Sequence, residues 1–143
     1  MTPAQIALVR KSYAQVVLNL EQVAALFYQR LLELDPSVGS MFRGDPIVQR
    51  TKLGAALASL VGSLGQVDRI LPALRALGRK QARMGINAEH YLLVGEALVR
   101  SLERAFRDDF TAETRRAWMA AFGFVAWAMI DVAEEDWREA EAA

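Results

Sequence analysis

The chain of 143 residues contains no cysteine and a single histidine. Without thiols there is no disulfide, no thiolate metal site, no cysteine nucleophile and no thioether-linked cofactor. An excess charge of one sign is missing too, since 17 acidic residues balance 17 basic ones. A nucleic-acid or anionic-membrane surface needs a basic excess, so neither nucleic acid nor a membrane is an expected partner. No apolar run approaches the ~20 residues that cross a bilayer. The start, Met1-Thr2-Pro3-Ala4-Gln5, lacks the basic residues and apolar stretch of a signal peptide, so the expected compartment is the cytoplasm. Strand signals are poor as well, because alternating apolar and polar runs are missing.

What is present is apolar spacing of helical period and an apolar fraction of 53%. One all-α domain over residues 1–143 is expected, able to remove about two-thirds of the unfolded chain's surface from water. Thr2-Pro3-Ala4-Gln5 reads as a capping box that starts a helix to about Asn19. Further helices are predicted over 21–34, 36–42, 45–64, 68–84, 88–106 and 112–137, giving about seven around one core. Asp35-Pro36, Gly65 and Gly85 act as stops, and Asp45, Asn87 and Thr111 as caps. The Ala/Glu-rich tail after Trp137 is expected to fray. Trp118, Trp127 and Trp137 are read as core and helix-packing residues.

Three polar residues interrupt the apolar stripes. Tyr28 sits beside the buried face formed by Ala24, Phe27, Leu31 and Leu34. Gln49 lies one turn before Leu53 on the face of Leu53, Ala56, Leu57 and Leu60. Gln81 falls inside the stripe of Ile70, Leu74, Leu77 and Met84, with Arg75, Arg79 and Arg83 assigned to the opposite side. A buried amide or hydroxyl left without a partner costs about 1–3 kcal/mol. Three such residues on three helices fit one polar-tipped cavity in an apolar core, the usual design of a small-ligand or cofactor pocket. Periodicity does not name the ligand.

The segments that carry these exceptions resemble the globin family, in particular single-domain bacterial haemoglobins similar to the haem domain of flavohaemoglobins. The resemblance runs from about Gln5 to Asp136. Its markers are Phe27-Tyr28-Gln29-Arg30-Leu31, Asp35-Pro36 leading to Met41-Phe42, Gln49 with Lys52-Leu53, and Leu71-Pro72-Ala73-Leu74. The most specific is Leu77-Gly78-Arg79-Lys80-Gln81-Ala82-Arg83-Met84-Gly85, followed by His90-Tyr91 and Val94-Gly95, then Ala117-Trp118 and Phe122-Gly123.

The resemblance implies a globin fold, a haem b cofactor and roles by position. Tyr28 and Gln49 match the polar pair that donates hydrogen bonds to the gas ligand. Leu53 matches the apolar residue over the iron, Phe42 the aromatic that wedges the haem, and Tyr91 the tyrosine beside the iron ligand. Leu57, Leu77, Met84 and Ile86 complete the implied lining. At Gln81 the family carries the histidine that ligates iron, so here the axial donor is a weaker amide. The glutamate that would pair with the tyrosine is also absent, with Ala133 in its place and Glu134 rotated about 100° away. The only histidine, His90, follows the cap of its helix, where the family commonly carries a histidine that does not ligate iron, and it is read as structural. Tyr91 as tyrosinate and Met84 as thioether are the remaining candidate donors.

The implied function is binding of a diatomic gas (oxygen, nitric oxide or carbon monoxide) with an altered proximal ligand. The alternative is a haem-free globin-fold sensor or interaction module. Nitric oxide dioxygenase or peroxidase-like activity would require an external electron donor such as a separate reductase, since no nucleotide-binding glycine motif is present. The sequence leaves monomer and homodimer open, the last two helices being one route to a dimer.

Overall fold

The computed structural model describes residues 1–40 and 45–142. Among them are six α-helices, two short 3₁₀ segments and no strand. The helices are α1 (Pro3–Leu18), α2 (Leu20–Leu34), α3 (Pro46–Ser63), α4 (Val67–Arg83), α5 (Ala88–Phe106) and α6 (Ala112–Ala142). The 3₁₀ segments are Pro36–Ser40 and Arg107–Asp109.

Local chemistry explains the boundaries. Thr2 Oγ1 accepts from the Gln5 N–H at 3.1 Å, and Gln5 Oε1 accepts from the Thr2 N–H at 3.0 Å, closing the expected capping box. Asp45 Oδ1 accepts from the Ile47 N–H at 2.8 Å, with Pro46 pre-set in the first turn of α3. Thr111 Oγ1 accepts from the Thr114 N–H at the start of α6. Gly65 and Gly85 take φ of +84° and +88°, a backbone region open to glycine at little cost, and they turn the chain after α3 and α4.

Two boundaries differ from expectation. The third predicted helix is only the 3₁₀ turn Pro36–Ser40, begun by Asp35 accepting from both the Ser37 N–H and hydroxyl. The rest of that prediction, including Phe42, lies outside the described residues. The last helix continues past Trp137 to Ala142, because Glu139, Ala140 and Glu141 are good helix formers.

The core draws on every helix but one. Val9 and Val16 of α1, Phe27 and Leu31 of α2, Leu53 and Leu57 of α3, Leu98 and Leu102 of α5, and Trp118 of α6 belong to one buried cluster. Trp118 is fully buried, and its Nε1–H donates to Ser12 Oγ at 2.8 Å, pinning α6 to α1. On the predicted stripes, Leu34 is only half-buried and Ala56 is exposed. Trp127 and Trp137 are not core residues: each is 57% exposed, since α6 turns that side away from its neighbours. By length and composition alone α6 could cross a membrane, but its other faces pack on α1, α4 and α5.

The exception is α4. It adds no residue to the cluster and packs chiefly on α6. The contact centres on Gly78, where a Cβ would lie 2.8 Å from Met129 Cα. Arg75 reaches Asp131 and Glu135 at 3.5 and 2.6 Å, and Arg79 reaches Asp136 at 3.1 Å. These arginines therefore run along α6, because the acids on that helix draw them inward from the solvent side assigned from periodicity.

Candidate functional site

Helical geometry divides α4 into sides. With Gly78 toward α6, residues 70, 77, 81 and 84 point roughly 60–120° away. This flank is Ile70, Leu77, Gln81 and Met84. Although α4 separates its polar and apolar faces sharply, Leu77 is 41% and Met84 66% exposed. Among the described residues α4 packs chiefly on α6, with Tyr91 of α5 reaching Gln81 on this flank, whereas α2 packs firmly on α5 and against α3. An apolar helix flank left open beside an otherwise packed bundle is a place for an apolar ligand.

Gln81 is half-buried on this flank. Its Oε1 accepts a hydrogen bond of 2.5 Å from the Tyr91 hydroxyl. Tyr91 is one turn into α5, which Asn87 starts: Asn87 Oδ1 accepts from the His90 N–H, and His90 Nδ1 accepts from the Asn87 N–H. His90 thus completes the cap, a structural role. Burial pushes the Tyr91 phenol above its ordinary value of 10.0. The phenol therefore keeps its proton, which opposes a tyrosinate role for Tyr91.

The second polar pair joins α2 and α3. The Tyr28 hydroxyl donates to the backbone carbonyl of Gln49 at 3.1 Å. Its ring meets Phe27 edge-on, with centroids 5.0 Å apart. Burial also raises the Tyr28 pKa, so this phenol too is a lasting donor. Immediately along α3, Leu53 and Leu57 are buried in the core.

The sequence-selected residues thus form two hydrogen-bonded pairs, Tyr28 with Gln49 and Tyr91 with Gln81. Leu53 and Leu57 pack inward, Ile86 is half-buried, and Leu77 and Met84 stay largely open. Phe42 lies outside the described residues. Sequence reasoning missed the partner role of Tyr91 toward Gln81. The separation of ten positions, across a turn and a cap, carries no periodic signal. A different cavity, of about 560 Å³, opens between α1, α6 and the start of α4, bordered by Ile6, Leu64, Ile70 and Phe124. Apart from Ile70, it uses none of the residues that drew attention in the sequence. No group of three or more metal-ligating side chains occurs among the described residues.

Comparison with known proteins points to one family. The family model described as Globin matches residues 25–129. The flavohemoprotein of Bacillus subtilis is 28% identical over 124 residues, covering 85% of this chain and 31% of that protein. The neuroglobin of Danio rerio is 27% identical, covering 85% of this chain and 86% of its own. The chain thus spans about a third of the length of the flavohemoproteins it matches. Among solved structures, a bacterial globin from Campylobacter jejuni aligns with TM-score 0.79 at 21% identity, covering 96% of this chain and 99% of that one. An engineered carbene transferase from Rhodothermus marinus aligns with TM-score 0.80 at 25% identity over 99% of each chain.

Proposed function

The chain belongs to the globin family, and from that premise we propose that it is a haem-binding globin for a diatomic gas, with an amide in place of the usual proximal imidazole. Membership implies a haem cofactor. The observation that carries the reading is the open apolar flank of α4, with Gln81 set in it and held by Tyr91. A large flat apolar group fits a surface of this kind: Leu77 and Met84 offer carbon, and no charged side chain shares the flank.

Haem supplies the iron to which a gas attaches. The chain supplies what surrounds it. On our reading Leu77, Gln81, Met84 and Ile86 hold one face, with Leu53 and Leu57 on the other. The Gln49 amide and the Tyr28 hydroxyl, once its proton turns from the Gln49 carbonyl, provide hydrogen-bond donors for the gas. Tyr28 remains protonated because burial disfavours its anion. Gln81 is the candidate axial donor. A neutral amide oxygen binds iron more weakly than imidazole, and the Tyr91 hydrogen bond draws on the same oxygen. Weak oxygen affinity and ready haem loss are the expected consequences.

Enzymatic turnover of nitric oxide or peroxide would draw its electrons from a donor outside the globin domain. The contrasting haem-free reading rests on the missing imidazole.

Haemin titration of the folded protein, followed at the Soret band, decides between them. Saturable uptake that is weakened in Leu53→Ala and Tyr28→Phe supports the proposal, and no uptake by the folded chain defeats it. In Gln81→His, haem should bind at least tenfold more tightly, matching a gain of about 1.4 kcal/mol or more. An unchanged affinity means that Gln81 is not at the proximal position.

A further inference from the structure

The surface of α6 carries a feature the haem reading does not use. At 100° per residue, Met119, Gly123, Trp127, Ile130, Glu134 and Trp137 fall within an arc of about 80°. They form one stripe, on a different side from Met129 and Val132, which face α4. Met119 is 47% exposed and both tryptophans are over half exposed. Aromatic rings on show along one helix mark an interaction surface. The Trp127 ring rests on Phe124 with centroids 6.2 Å apart, so it stands as a fixed projection. One turn earlier, Gly123 is exposed and carries no side chain, which leaves a gap in the stripe.

We propose that this stripe is a self-association surface, on which α6 of a second copy lies antiparallel. The projection and the gap set the register. Seating Trp127 of each copy on Gly123 of the other is one symmetric arrangement, because in a two-fold pair each contact occurs twice. The same register brings Arg116 opposite Glu134 of the other copy. It also brings Glu113 within one residue of Arg138 of the other copy. All four charges are exposed, and among the described residues none makes an ion pair within its own chain. Like charges would have met in a parallel pairing, where each residue faces itself. The paired length from Glu113 to Arg138 is about 39 Å, and the opposed helix dipoles favour the antiparallel sense. The pairing leaves the open flank of α4 free.

Sedimentation equilibrium of the full chain tests this. The expected species is a dimer, at about twice the 15.9 kDa chain mass. Trp127→Glu should weaken it at least tenfold with unchanged helix content by circular dichroism. Arg116→Glu should weaken it by about tenfold, and combining it with Glu134→Arg should restore it, since the pair is then reversed on both sides. A wild-type chain that stays monomeric at hundreds of micromolar overturns the proposal. So does a dimer indifferent to Trp127→Glu, or a double charge reversal that fails to rescue. Monomer that co-sediments with phosphatidylcholine vesicles would assign the stripe to a lipid surface instead and equally overturn it.

Discussion

Replacing Gly78 with alanine should destabilise the protein, against the ordinary rule for helix glycines. A Cβ at this position would lie 2.8 Å from Met129 Cα, 2.9 Å from Met129 O and 2.9 Å from Val132 Cγ1. Carbon atoms in contact prefer about 3.5–4.0 Å. Two of the three obstacles are backbone, so α4 and α6 would have to separate by about 0.7–1 Å. Overpacking of this kind costs about 1–3 kcal/mol. The gain in helix propensity from glycine to alanine is about 1 kcal/mol. The balance is a loss of about 1 kcal/mol. Gly62, near the end of α3, provides the control, because a Cβ there meets nothing within 4 Å. Gly62→Ala should stabilise by about 0.5 kcal/mol. Urea unfolding of the two variants, read at constant slope, measures both effects. At about 3 °C per kcal/mol for this chain length, their melting temperatures should diverge by about 4–5 °C. If Gly78→Ala stabilises as much as Gly62→Ala, the helices do not approach as described, and the placement of the Gln81 flank that follows from it fails.

Three further outcomes follow from the same geometry. Tyr91→Phe removes the donor to Gln81 and should cost about 0.5–1.5 kcal/mol in urea unfolding; if stability is unchanged, the hydrogen bond contributes nothing. Trp118→Phe leaves a void in the core and strips Ser12 Oγ of its indole donor, for a loss of about 1–3 kcal/mol by the same measurement; a neutral result would show the indole is not locked in place. On the alkaline side, the folded-state pKa values of Tyr28 and Tyr91 lie above the unfolded 10.0, so their contribution is intact below about pH 10 and is lost as pH rises through the folded values. Tyrosinate absorbance of Tyr28 and Tyr91 should therefore develop late, and titration of these two near the ordinary value would contradict their burial.

Much of the fold was legible because helix ends are local chemistry. The Thr2 capping box, the Asp45 and Asn87 caps and the stops at Gly65 and Gly85 rest on residues within a few positions of one another, and all stand in the structure. Trp127 and Trp137 were misread because hydrophobicity does not reveal which flank of a long helix has a neighbour; that is settled by how α1, α4 and α5 divide α6 among them. Arg75 and Arg79 were misread for the complementary reason, since their acidic partners are 56 to 60 residues distant. At the site, the sequence marked Tyr28, Gln49 and Gln81 as exceptions to an apolar pattern. It could not show that each tyrosine hydroxyl has a glutamine oxygen within reach, because both pairings cross between helices.

Those two pairings differ in a way that bears on what the site can do. Tyr28 donates to the backbone of Gln49, so its bond does not fix the direction of the Gln49 amide. Tyr91 donates to the side-chain oxygen of Gln81, so the bond does fix that amide. An amide nitrogen has no available lone pair, and only its oxygen can act as a donor to a metal. The tyrosine occupies one acceptor site on this oxygen and leaves the other, while withdrawing electron density from both. As the proposed axial donor, Gln81 is therefore ordered but poorly basic. Its helix, α4, packs chiefly on α6, at Gly78 and through the ion pairs of Arg75 and Arg79, and adds no residue to the main core cluster. On the proposed reading, an amide in place of the imidazole matters twice: it is a poorer iron donor, and it gives up a bond that would have tied α4, which lies outside the main core cluster, to the cofactor.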